Sequence, residues 1–216
     1  MTSFVAPPLP EWLLPLAESV TSVRPEDLSR FLPPSPGAGR ASAVLILFGE
    51  GDAGPDVLLI QRAMSGGIHS GQPAFPGGAQ DPDDSGPVAT AIREAQEETG
   101  LDPAGVQPFA ELPALWVPVS GYVVTPVLGW WAEPTSVRPG HPDEVSSVHR
   151  VPIAELTRPD NRFRIRHPSG YVGPAFGVRD MVVWGFTGGL LDRLLRLGGW
   201  EAPWDTERII PLPDQR

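Results

Sequence analysis

The chain contains no cysteine, which removes disulfides, thiolate metal sites and cysteine nucleophiles together. It contains no lysine either, since all 16 basic residues are arginine. Schiff-base chemistry and a P-loop lysine are therefore unavailable, and any phosphate must be met by other cations. Positive charge is scarce in general: 16 basic residues stand against 26 acidic ones, for a formal charge of −10. Gripping a nucleic-acid backbone calls for a basic face, and arginines cluster only modestly, from Arg158 to Arg166. No nucleic-acid partner is expected. Long apolar runs are missing too. The stretch Ala43 to Phe48 is far too short to span a bilayer, so no membrane partner is expected. No basic residue precedes Arg24, so a secretory signal with a charged start is not expected and a cytoplasmic location is the default. No repeat at a fixed spacing points to a solenoid or propeller.

What is abundant is turn chemistry. Glycine (24) and proline (28) make up about a quarter of the 216 residues, which predicts long, stiff loops. The length suits one sizeable core. Residues 1–40 are studded with proline and read as an N-terminal arm packed on the main domain. Short helices are expected at Glu11 to Val20 and Pro25 to Phe31, the second with Pro25 at its first position. The main domain covers 41–198, and 199–216 forms a loop-like tail. Strands are expected at 43–48, 56–62, 109–112, 123–131, 145–151 and 163–166. A helix is expected over 88–99, ended by Gly100 in a left-handed cap. A second helix is expected over 183–197, stopped at Gly198. This order describes a mixed α/β fold.

The chemistry concentrates around the first main helix. Glu94, Glu97 and Glu98 stand at i, i+3 and i+4 and so share one sector, with Val88, Ile92, Ala95 and Thr99 on the opposite side. Three like charges on one face repel, and only Arg93 stands near to offset them. A solvated acidic face is the plain explanation for three glutamates alone. The sequence before them favours a sharper one. Phe75-Pro76-Gly77-Gly78 places two glycines where backbone approaches something closely, and Asp81, Asp83 and Asp84 follow in an acidic loop. Such a frame suits a hard divalent cation carrying phosphates.

Gly78, Asp84 and the run Arg93-Glu94-Ala95-Gln96-Glu97-Glu98-Thr99-Gly100-Leu101 resemble the Nudix box. The second half matches at every specified position. In the first half Asp84 stands where glutamate is usual, and eight residues rather than seven separate it from Arg93. Flanking segments resemble the coenzyme A pyrophosphatase branch: Leu58 to Ala63, His69, Gly71-Gln72, Phe75 to Gly78, Ser120 to Gly129, Asp143-Glu144-Val145 and Trp184 to Thr187. One departure is Gly67, where the branch usually carries arginine.

The resemblance implies an α/β/α sandwich with a mixed sheet between helices. It implies a Mg²⁺- or Mn²⁺-dependent diphosphatase acting on a nucleotide-type small molecule, as a monomer or homodimer. For coenzyme A the products are phosphopantetheine and adenosine 3′,5′-bisphosphate. Glu94, Glu97 and Glu98 are the implied metal ligands, with Arg93 holding a glutamate in place. Glu144 and Glu97 both stand as candidate general bases. Arg62, His69, Gly71, Gln72, Gly77 and Gly78 are candidate substrate contacts. The alternatives are another nucleoside diphosphate derivative (NADH, ADP-ribose or a nucleoside triphosphate) or a non-catalytic nucleotide-binding module. His141, His149 and His167 lack metal-ligand spacing.

Overall fold

A computed structural model describes residues 8–35, 37–64 and 70–212. Within them the chain runs through two short helices, α1 (Leu14–Ser19) and α2 (Pro25–Leu28), into strands β1 (Arg40–Gly51), β2 (Gly54–Arg62), β3 (Pro73–Ala74) and β4 (Gly77–Ala79). Helix α3 (Pro87–Thr99) follows, then β5 (Val106–Glu111), β6 (Leu115–Val117), β7 (Tyr122–Trp131) and β8 (Val145–Pro152). A short α4 (Ile153–Thr157) leads to β9 (Arg162–Arg166), β10 (Val172–Val178), β11 (Met181–Val183), α5 (Gly185–Leu197) and β12 (Ile209–Pro211).

Among the described residues there are two sheets. The larger orders β3-β2-β1-β7-β5, with β4 on β1, β6 on β7 and β8 on β2. It is mixed: β1 runs parallel to β7, from Arg40 opposite Tyr122 to Phe48 opposite Trp130, while β2 and β8 are antiparallel. The apolar run in β1 has a simple cause. Ala43, Leu45 and Leu47 pack with Ala91 and Ala95 of α3, whereas Ile46 and Phe48 face α1 and α5. A strand covered on both faces has no reason to alternate. The expected mixed α/β sandwich is the observed architecture. Among the described residues no helix is long and apolar enough to cross a membrane.

Several elements differ from expectation. A second sheet, ordered β11-β10-β9-β12, joins the helices on the α5 side. Its glycines and prolines (Gly173, Pro174, Gly177) conceal β10 from any pattern reading. The tail is not all loop, because β12 pairs parallel to β9, with Ile210 opposite Ile165. The first stretch of the N-terminal arm mixes 3-10 and α turns (11–13, 14–19, 20–22) instead of one helix, and α2 stops at Leu28. Leu13, Leu16 and Leu28 lie in the main core cluster. The closing helix begins at Gly185, since Val183 pairs with Phe176 in the sheet.

Candidate functional site

Helix α3 begins with Pro87 and ends where expected. Gly100 adopts the left-handed conformation (φ 66°), and its N–H donates to the Gln96 carbonyl at 2.8 Å. The packed side of α3 is Thr90, Ala91, Ala95, Glu98 and Thr99, with Val88 and Ile92 only half-buried. Ala95, Thr99 and Val88 pack as expected, while Ile92 does not join the core cluster and Glu98 lies on the packed side, which matters for the glutamates. Glu98 lies on the buried side at 4% exposure, Glu94 is half-buried and Glu97 is exposed. A 100° step per residue spreads the three across the boundary between sheet and solvent.

Two glycines make this arrangement possible. A Cβ on Gly77 would lie 2.3 Å from the Ala43 carbonyl, and one on Gly78 would lie 2.5 Å from the Glu94 carboxylate. Bare backbone therefore runs between β1 and the glutamates. The Gly77 N–H donates to Glu98 Oε2 at 2.8 Å. Arg62, at the end of β2, stands 3.7 Å from Glu98 Oε1. Burial pushes the Glu98 carboxyl up to about 7, against the opposing pull of the Gly77 N–H and Arg62, and the Glu94 and Glu144 charges push it further. Burial also raises Glu94, and Arg93 opposes it.

Arg93 is the hub of the outer half. It bonds Asp84 through Nε (3.1 Å) and Nη2 (2.9 Å), Glu94 and Glu97 through Nη1 (3.1 Å each), and the Ala79 carbonyl. The paired hydrogen bonds from Arg93 hold Asp84 well below the usual carboxylate range. Thr90 Oγ1 and the Asp81 N–H also donate to Asp84 Oδ2, at 2.9 Å each. The fork of a guanidinium suits such bidentate contact. Sequence reasoning placed Asp84 in the box without its role. The structure gives it one, since its carboxylate takes two hydrogen bonds from Arg93.

The structure brings Arg62, Glu98, Gly77, Gly78, Glu94, Arg93 and Glu97 together. Glu144 immediately precedes β8, exposed, with its carbonyl accepting the Ala63 N–H at 2.8 Å. Gly71 and Gln72 return to the end of β2 through backbone. The Gln72 carbonyl accepts the Arg62 N–H at 3.1 Å, and the Gly71 carbonyl accepts Gln61 Nε2. His69 and Gly67 lie outside the described residues. His141 and His149 sit on a loop and on β8, and His167 follows β9.

Among the described residues no three carboxylate or imidazole groups are gathered around one point as metal ligands, and Arg93 joins Glu94 to Glu97. The donors nonetheless fit a hard divalent cation in kind. All are carboxylate oxygens, and buried Glu98 has one N–H donor and an arginine at 3.7 Å, too far for a hydrogen bond.

A family model for the NUDIX domain matches residues 38–171. The chain is 37% identical over 150 residues to an Escherichia coli K12 protein described as uncharacterized Nudix hydrolase NudL, covering 67% of this chain and 76% of that one. A Pectobacterium atrosepticum protein of the same description is 36% identical over 151 residues, covering 65% and 73%. Among solved structures, the M. smegmatis Nudix hydrolase RenU covers 76% of this chain and 96% of its own, with a TM-score of 0.54 at 19% identity. A Nudix hydrolase from Nitrosomonas europaea covers 81% and 80%, with a TM-score of 0.50 at 15% identity. These two likenesses concern the fold.

Proposed function

The chain belongs to the Nudix family, and we propose that it is a divalent-cation-dependent diphosphatase whose substrate is coenzyme A or one of its derivatives. The observation that carries the reading is the charge count around α3. Among the described residues, Asp81, Asp84, Glu94, Glu97 and Glu98 face only Arg93 and Arg62 through ion pairs. An acidic surplus packed against bare backbone costs stability until a cation joins it.

Glu94 and Glu98 are the residues that would hold Mg²⁺ or Mn²⁺, with Glu97 beside them. When bound, the ion neutralises the diphosphate, polarises phosphorus and lowers the pKa of water. The protein does the rest. Arg93, itself bonded to the Ala79 carbonyl of β4, holds Glu94 and Glu97, and Asp84 holds Arg93. The Gly77 N–H fixes one Glu98 oxygen. Arg62 is the cation nearest the buried carboxylate and can meet a phosphate oxygen, a task that a chain without lysine must give to arginine. Glu144 and Glu97 remain the two candidates to take a proton from the attacking water. The coenzyme A assignment is supported by the resemblance of the flanking sequence segments, Leu58 to Ala63, Gly71-Gln72, Phe75 to Gly78 and Ser120 to Gly129, to the coenzyme A pyrophosphatase branch. Gly67 in place of arginine predicts a weak KM for it.

Incubation with Mg²⁺ and a panel of coenzyme A, NADH, ADP-ribose and nucleoside triphosphates, with the products resolved, tests the reading. Release of phosphopantetheine and adenosine 3′,5′-bisphosphate is expected. Preference for another panel member would overturn the coenzyme A assignment alone. No hydrolysis of any member would overturn the diphosphatase.

A further inference from the structure

The segment from Arg138 to Glu144 is tied to the backbone of the glutamates themselves. The Arg138 N–H donates to the Thr99 carbonyl at 2.9 Å and the Gly140 N–H donates to the Glu98 carbonyl at 3.0 Å. Both carbonyls lie in the last turn of α3, where no intrahelical donor remains. Gly140 sits so close that a Cβ there would lie 1.8 Å from the Glu97 carbonyl oxygen and 2.9 Å from its carbon. Its φ is not positive, so glycine is required here by space and not by backbone conformation. Downstream, the His141 carbonyl accepts the N–H groups of Glu144 and Val145, at 2.9 Å each, and the Glu144 carbonyl accepts Ala63 N–H next to Arg62. Pro139 and Pro142 flank the contact and stiffen it. The strap thus runs from the glutamate backbone on α3 to the end of β2, with Glu144 in its last turn.

From this juxtaposition we infer that Gly140 is a positioning residue, which sets where Glu144 stands relative to Glu98 by letting the strap lie against the Glu97 carbonyl. This deepens the diphosphatase reading and rests on it. Any side chain at 140 lifts the strap off α3 and carries Glu144 away from the reacting groups. A displacement of about 1 Å at such a site is enough to cut turnover strongly while substrate contacts elsewhere persist.

The test is a double-mutant cycle. Gly140→Ala should lower kcat by about tenfold or more and leave KM within about threefold, because placement and not substrate binding is lost. In a Glu144→Gln background the same substitution should cost less than about threefold, because the two act through one group. Gly189→Ala makes the same chemical change at an open position of α5 and should stay within about twofold. Should Gly140→Ala fail to fold, Pro142→Gly adds no atoms at an exposed position and loosens the same strap. It should lower kcat about threefold or more, again only while Glu144 is present. Equal losses in both backgrounds, or unchanged kcat in both strap variants, would overturn the assignment. The contact has a readout of its own, since the Gly140 amide should exchange slowly in the wild type and fast in either variant. Exchange at the unprotected rate in the wild type overturns the contact. Absence of wild-type turnover counts instead against the functional reading, and the exchange result then decides the contact alone.

Discussion

Among the described residues two acid–arginine clusters stand out, and they are built on opposite terms. In the smaller sheet, Arg162 is fully buried between the Phe176 and Trp204 rings, at 5.0 and 4.5 Å, and pairs with Asp192 and Glu201. Arg196 pairs with the same two acids and Arg193 reaches Asp192. Three arginines thus meet two carboxylates, and the cluster ties β9, α5 and the tail together. Around α3 the ratio inverts, with two arginines against five carboxylates among the described residues. A cluster that closes on itself does structural work. One left with surplus negative charge beside bare backbone suits the cation site proposed for it.

The largest effect should come from breaking the closed cluster. Arg162→Met leaves Asp192 and Glu201 without their buried partner and should cost about 3–5 kcal/mol in denaturant unfolding. Activity per folded molecule should be unchanged. A loss below about 1 kcal/mol would mean that this cluster is no more structural than a surface pair.

Breaking the open cluster should do the reverse. Glu98→Gln should lower kcat by about a hundredfold or more, roughly 2.7 kcal/mol of barrier, with Glu94→Gln acting in the same direction. Steady-state kinetics at saturating Mg²⁺ checks both.

The pH dependence sharpens the contrast. A carboxyl raised from 4.5 to about 7 on folding contributes stability below its unfolded pKa, and that contribution is lost as pH rises through the folded one. In chelator, Glu98→Gln and wild type should therefore match near pH 4.5. Above pH 7 the variant should be the more stable, by about 2–3 kcal/mol. Thermal melts at pH 4.5, 6 and 8 give the comparison, and parallel curves would contradict it.

The smallest effect belongs to Glu97, exposed and held by Arg93. Without metal, Glu97→Gln should shift stability by no more than about 0.5 kcal/mol. Its gain on adding Mg²⁺ should fall short of the wild-type gain, which reaches about 2.7 kcal/mol at a hundredfold excess over Kd. Equal gains in the two proteins would remove Glu97 from the cation site.

This contrast explains what could be read from sequence. The box on α3, the glycine pair and the left-handed cap at Gly100 are local patterns with local causes, and the long strands β1, β2, β7 and β8 follow their apolar runs. The burial of Glu98 was less legible, because helical spacing groups Glu94, Glu97 and Glu98 in one sector without saying where the sheet lies. The hub at Arg93 joins residues nine apart, and the strap at Gly140 meets α3 more than forty residues away. The closed cluster was invisible for the same reason: Arg162, Asp192, Glu201 and Trp204 become neighbours only when the smaller sheet forms. Its strand β10 carries glycine and proline, which read as turns until β9 and β11 pair with it.

Calorimetric titration of Mg²⁺ into wild type and into Glu98→Gln, both folded and at pH 8, tests most directly whether the acidic surplus is a cation site. Saturable binding to the wild type, lost or weakened by about tenfold or more in the variant, is the predicted result. Identical isotherms for the two proteins would contradict it.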